Sequence, residues 1–114
     1  MLLSAPDAGL YAGPGWFREI IVMARAAVPA AQTTAVLDCG DDAGAAQGAI
    51  RAGVEAILFT GRADLAARLA DIAAQRGARA LTERPVPALD LADDFFAAPD
   101  ELRRRCVEAL RRMG

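Results

Sequence analysis

Val54-Glu55-Ala56-Ile57-Leu58-Phe59-Thr60-Gly61 decides the fold of this chain, because its apolar and β-branched residues predict a buried strand over 54–60 that the glycine ends. A shorter copy of the pattern, Val-Leu-Asp-Cys-Gly at 36–40, begins 21 residues before Ile-Leu-Phe-Thr-Gly at 57–61. An alanine-rich stretch that ends at a glycine follows each copy, as is typical of a helix. Strands that alternate with helices predict a parallel sheet with right-handed crossovers.

The rest of the chain continues this alternation. Apolar or β-branched segments predict further strands, at 2–5, 33–38 and 78–82. Apolar residues at helical spacing, with proline or aspartate at the start, predict helices over 14–28, from Asp41 or Asp42 to about 52, over 62–76, and from Pro99 onward. We therefore predict a single α/β domain over 1–114. It is a small three-layer domain of consecutive βα units with a parallel sheet of three to five strands, either half-barrel or flavodoxin-like.

The repeated unit also resembles a known family. Residues 36–81, with Ala-Ile-Arg-Ala-Gly at 49–53 before the strand Val-Glu-Ala-Ile-Leu-Phe-Thr, are similar to consecutive strand–helix units of phosphate-binding TIM barrels, in particular the keto-deoxy-phosphogluconate aldolase group. The resemblance implies a half-barrel or flavodoxin-like derivative. The chain has about half the length of a barrel and contains no lysine, so the family's Schiff-base chemistry is not carried over to any residue.

Ligands of parallel sheets bind beyond the carboxyl ends of the strands, and several chemically suitable residues follow the predicted strands. Glycine lets a ligand approach the backbone, helix N-termini attract anions, and arginine binds phosphate or carboxylate. The candidate ligand-binding residues are Asp38, Gly40, Thr60, Gly61, Arg62 and Arg84. The alternative interpretation is ordinary strand-to-helix turns.

The first of these loops is acidic. Asp38, Asp41 and Asp42 are a candidate Mg²⁺ site, since hard cations take clustered carboxylates. The alternative is one helix cap with solvated charge around it. No motif identifies a cofactor, which stays unknown.

The composition excludes several classes of enzyme. The chain has no histidine, all thirteen basic residues are arginine, and Ser4 is the only serine. Ser-His-Asp and Cys-His catalysis, histidine-bound zinc, Schiff-base chemistry and P-loop ATPase activity are thereby excluded. Catalysis would have to rest on carboxylates, arginine, Cys39 or a bound metal, so we lean towards a non-catalytic role.

Charge and targeting patterns constrain the partners. The net charge is −2, which gives no general attraction to nucleic acid or acidic membranes. The arginines of the last helix (Arg103, Arg104, Arg105, Arg111 and Arg112) are balanced by acidic neighbours, so nucleic-acid binding is not expected. We expect no membrane partner and a cytoplasmic location, because no signal peptide or spanning segment is recognisable. The absence of lysine beside abundant alanine, glycine and arginine suggests a GC-rich bacterial source.

Two functions follow from these observations. The first is association, as a homo-oligomer or with another protein. Its basis is an apolar-rich small chain with the aromatic residues Tyr11, Phe95 and Phe96 in segments predicted to be irregular. The second is the binding of a small anionic, phosphorylated ligand at the strand ends, with or without Mg²⁺.

Overall fold

A computed structural model describes residues 1–29, 32–86, 90 and 98–113. Its four strands are β1 (Leu2–Leu3), β2 (Ala35–Asp38), β3 (Ala56–Leu58) and β4 (Arg79–Leu81). They form one sheet in the order β1-β2-β3-β4, and every neighbouring pair is parallel. The predicted α/β class and the parallel sheet of βα units are confirmed. The two copies of the repeat pair directly, with Val36 opposite Ala56 and Asp38 opposite Leu58.

The starts of α2 and α3 lie where the local sequence predicts them. They are α1 (Ala8–Tyr11), α2 (Pro14–Ala27), α3 (Ala43–Arg51), α4 (Ala63–Gln75) and α5 (Pro99–Met113). Pro14 lies in the first turn of α2, where its missing N–H removes no helical hydrogen bond. Asp42 caps α3 by accepting a 2.9 Å hydrogen bond from the Ala45 N–H. The short helix α1 was not predicted, because four residues are too few for a periodic apolar pattern.

The predicted strand over 54–60 is longer than β3 itself. Val54 instead donates its N–H to the carbonyl of Ala49 and so belongs to the end of α3. Beyond the strand, Phe59 donates to Leu81 at 2.9 Å and Thr60 donates to Gly40 at 2.8 Å. Backbone pairing therefore continues past β3 into the loops that follow the strands.

Two compact units make up the chain, residues 1–84 and 85–114. The first contains the whole sheet and α1 to α4, and the second contains α5. Within the first unit, the strands lie in the sheet in the same order as in the chain. Right-handed crossovers between such strands put all the connecting helices on one face of the sheet, as in a half-barrel. A flavodoxin-like sheet instead has helices on both faces. This unit therefore supplies two of the three predicted layers.

The buried residues follow the alternation of the strands. Leu37, Cys39, Ile57 and Phe59 point to the helical face, where they pack with buried residues of α1 to α4 (Ala8, Phe17, Ala46, Ala49, Ile50, Leu69 and Ala73). A smaller cluster occupies the opposite face and consists of Val36, Ala56 and Leu58 with Leu3 and Leu81 at its margin. Among the described helices, none combines the length and apolar character needed to span a bilayer.

Candidate functional site

The carboxyl ends of the four strands meet at one edge of the sheet, which we call the rim. Ser4 follows β1, Asp38 ends β2, Thr60 follows β3 and Arg84 lies three residues after β4. The Cys39 N–H donates to the carbonyl of Leu58 at 2.9 Å, so the loops after β2 and β3 lie side by side. The predicted clustering of the two glycine-terminated loops at this edge is therefore present.

Asp38 is a buried carboxylate whose two oxygens are both engaged. Its residue exposure is 4 %. Oδ1 accepts a 2.8 Å hydrogen bond from the Gly40 N–H, and Oδ2 accepts from Nη1 of Arg84 in an ion pair. Its own backbone N–H donates to Oγ of Ser4 at 2.9 Å. Both oxygens therefore have partners within the protein, as a buried charge requires.

Arg84 reaches across the rim. It follows β4, yet its partners are Asp38 at the end of β2 and the carbonyl of Ser4, to which Nη2 donates at 3.2 Å. β2 and β4 are separated by β3, about 10 Å apart at the usual strand spacing. Residues 82–84 and the Arg84 side chain together span the width of β3 at this edge of the sheet, where ligands of parallel sheets bind. It remains 38 % exposed.

The glycine after β2 is close to another acidic side chain. Gly40 has φ +56°, and a Cβ at this position would overlap the Oδ1 atom of Asp7. Asp7 also has a left-handed backbone conformation, at φ 60°. Asp7 and Asp38 thus place two carboxylates next to Gly40, and their negative charge disfavours an anion there.

The loop after β3 is adapted to internal packing. A Cβ on Gly61 would overlap Cζ of Phe59 and lie 3.0 Å from both Cε atoms of that ring, which is 1 % exposed. Arg62 is bonded to Asp64 through Nε at 3.1 Å and Nη2 at 2.7 Å. Asp64 lies in the first turn of α4, where a carboxylate stabilises the helix dipole. Arg62 is therefore already paired with a carboxylate of its own helix.

The three aspartates of the candidate Mg²⁺ site have different surroundings. Asp38 pairs with Arg84, Asp42 caps α3, and Asp41 is exposed. Within the described part of the chain, no group of three histidine, cysteine, aspartate or glutamate residues could hold a metal ion. The structure therefore does not bring Asp38, Asp41 and Asp42 together as ligands.

Cys39 follows Asp38 and is fully buried. Burial, with a smaller contribution from the neighbouring Asp38 and Asp42 carboxylates, raises the pKa of its thiol to about 12. The thiol is therefore neutral near pH 7, and a neutral thiol is a poor nucleophile. Cys39 packs in the core and does not supply the catalytic group that the sequence left open.

A second polar cluster, not predicted from the sequence, lies at the opposite edge of the sheet. Oε1 of Glu55 accepts hydrogen bonds from the Ala35 N–H at 2.5 Å and from Nη2 of Arg25 at 2.6 Å. The same Arg25 nitrogen donates to the carbonyl of Thr33 at 3.0 Å. Burial alone would raise the pKa of Glu55, but these two hydrogen bonds and the Arg25 charge outweigh it and lower the pKa. The cluster ties the end of α2 to β2 and β3.

A shallow groove of about 130 Å³ adjoins this cluster. Phe17, Ile21 and Val54 are among its lining residues, and Arg18 lies beside Gly53. Pockets for small-molecule ligands are usually about 300–1,000 Å³. The groove is therefore too small and open to be a ligand pocket.

Exposed apolar side chains are concentrated at the start of the chain. Among the described residues eleven large apolar side chains are exposed, and all but Val86 and Val107 fall in residues 1–28. We call these nine the N-terminal apolar surface: Met1, Leu2, Leu10, Tyr11, Trp16, Ile20, Val22, Met23 and Val28. Tyr11, predicted to take part in association, is 69 % exposed at the end of α1. Phe95 and Phe96 lie outside the described residues.

The arginines of α5 are partly neutralised by their own helix. Nη2 of Arg104 lies 2.7 Å from Glu101, and its Nη1 lies 3.9 Å from Glu108. The side chain of Arg111 is outside the described ones.

Comparison of the chain with family models, curated proteins and solved structures found no match.

Proposed function

We propose that this protein is a non-catalytic domain that works by self-association through its N-terminal apolar surface. The observation that carries the proposal is the concentration of nine of eleven exposed large apolar side chains within residues 1–28. Contiguous apolar patches beyond a few hundred Å² mark interaction sites in proteins. Only Val86 and Val107 of the described exposed large apolar side chains lie elsewhere.

The size of this surface fits a dimer. A half-exposed large apolar side chain leaves on the order of 100 Å² uncovered. Nine such side chains amount to roughly 900 Å², against about 800 Å² per partner in a standard interface. Because the side chains do not all face one way, the area that a partner can cover is smaller, and we expect a reversible dimer of moderate affinity.

The packing of α2 supports the same function. All fourteen residues of α2 are described, and Phe17 alone is buried. A helix that belongs only to the core of a monomer usually buries a broad apolar stripe. Helix α2 leaves Trp16, Ile20 and Met23 exposed by 51 %, 40 % and 69 %. A second protein surface would complete the burial of this helix.

Light scattering coupled to size exclusion, over a wide range of loading concentrations, tests the proposal. We expect a dimer at high concentration and a shift towards monomer in Met23→Glu. Met23 is 69 % exposed, so the substitution spares the monomer core. Removing one large apolar contact costs about 1.5–3 kcal/mol, and two-fold symmetry counts it twice, so the dissociation constant should rise at least about a hundredfold.

Val86→Glu is the matched control. Val86 is 93 % exposed and lies outside the N-terminal apolar surface, so the same charge introduced there should leave the dimer unchanged. A strict monomer at high concentration would refute the proposal. Equal dissociation of the two variants would refute the assignment to this surface.

Binding of a small anionic ligand at the rim is the alternative function. It has less support, because Arg84 and Arg62 are each paired with a carboxylate of the protein and because Asp7 and Asp38 lie next to Gly40. An anion would have to displace Asp38 from Arg84 and leave a buried carboxylate unpaired, which is strongly unfavourable.

A further inference from the structure

The outer face of α2 carries a continuous apolar stripe. With 100° of rotation per residue, Trp16, Ile20, Met23 and Ala27 fall within about 60° of the helix circumference. All four are exposed. Phe17 and Ile21, which pack in the core against the sheet, lie about 90° and about 130° away from the centre of this stripe. The helix therefore has two apolar faces, and the sheet covers one.

The cations of α2 are directed away from this stripe. The Arg18 guanidinium lies beside Gly53, with Nε 3.6 Å from the position of a Cβ there. Arg25 is bound to Glu55 and to the carbonyl of Thr33. Glu19 is the charged residue that flanks the stripe. The stripe itself is uncharged and can pack against another uncharged helix face.

We propose that α2 packs antiparallel against α2 of a second copy of this chain, about a two-fold axis that passes between Ile20 and Met23. This inference rests on the proposed function. In this arrangement Trp16, the largest side chain of the stripe, faces Ala27 of the second copy, the smallest, and Ile20 faces Met23. A patch that is bulky at one end and small at the other is self-complementary when the helices run in opposite directions.

A parallel arrangement is less favourable for two reasons. It would place the two Trp16 rings at the same level. It would also align the helix dipoles, which antiparallel packing opposes.

Cross-linking through introduced cysteines distinguishes the two arrangements. The background is Cys106→Ser, because Cys106 is partly exposed while Cys39 is buried with a neutral thiol. In the antiparallel dimer, residue 23 of each copy lies about 4.5 Å along the axis from its counterpart, whereas residue 27 lies about 16 Å from its own. A short bismaleimide should therefore link Met23→Cys at least tenfold more efficiently than Ala27→Cys.

The outcomes also separate this inference from the proposed function. Light scattering on both cysteine variants first establishes that each is still dimeric. Equal cross-linking at 23 and 27 in intact dimers would overturn the antiparallel arrangement and leave self-association standing. An intact dimer that cross-links at neither position would overturn the α2 contact. Monomers throughout, in the variants and in the unaltered chain, would overturn both proposals.

Discussion

The contact between Gly61 and the Phe59 ring gives a sharp test of the rim packing. In Gly61→Ala the new methyl group overlaps Cζ of Phe59 and approaches both Cε atoms to 3.0 Å, whereas carbon atoms in proteins pack at about 3.5–4.0 Å. The ring is 1 % exposed, so it cannot swing into solvent. Overpacking of this kind costs about 1–3 kcal/mol. The lower entropy of the unfolded alanine chain offsets about 0.4–1 kcal/mol of that cost.

We therefore expect Gly61→Ala to lower the free energy of unfolding by about 1–2 kcal/mol, measured by urea denaturation followed by far-UV circular dichroism at one protein concentration. Gly48→Ala is the matched control, because Gly48 lies inside α3 with no atom within 4 Å of the new methyl group. It should stabilise the protein by about 0.5–1 kcal/mol. The reasoning fails if Gly61→Ala is as stable as the unaltered chain while its m-value is unchanged.

Three further predictions concern titration, thiol reactivity and ligands. The pKa of Glu55 in the folded protein lies below its ordinary value of 4.5. The ionised carboxylate therefore stabilises the fold fully above pH 4.5, and this stabilisation is lost as the pH falls through the folded pKa. Glu55→Gln should flatten the fall in unfolding free energy at acid pH, and an unchanged fall would contradict this prediction. Near pH 8 a thiol reagent should modify Cys106 but reach Cys39 only after unfolding, because the pKa of Cys39 is about 12; two rapidly modified thiols in the native protein would disprove its burial. Inorganic phosphate or phosphorylated sugars, with or without Mg²⁺, should not raise the Tm, because Arg84 and Arg62 are each already paired with an aspartate of the protein. A rise in Tm that Arg84→Ala abolishes would favour the anion-binding alternative.

The sequence predicts those parts of the fold that depend on neighbouring residues. Pro14 marks the start of α2, Asp42 caps α3, and the glycine-ended repeats pair in parallel as expected. The strand over 54–60 was predicted too long, because apolar character continues into residues that cap α3 at one end and enter the rim at the other. Composition cannot separate those roles, since Val54 and Phe59 are as deeply buried as the residues of β3.

The chemistry of the rim was harder to predict because it depends on distant residues. The sequence predicts Asp38 as part of an anion-binding or metal site. In the structure its carboxylate is paired with Arg84, 46 positions later in the chain. One sequence signal was available: a carboxylate at the end of a fully apolar strand is expected to be buried, and a buried carboxylate needs a cation. The bond between Glu55 and Arg25 spans 30 positions and has no comparable local signature.

The reach of Arg84 also bears on how the first unit folds. Its bond to the carbonyl of Ser4 joins positions 80 residues apart, and β1 itself consists of two residues on one edge of the sheet. So short a strand gains little from its own ladder with β2. The Arg84 bond adds a contact from the last βα unit to the hydrogen bonds that β1 makes with β2. Unfolding that begins at either edge strand would loosen the other, and the two ends of the unit are expected to exchange their amide hydrogens as one cooperative element.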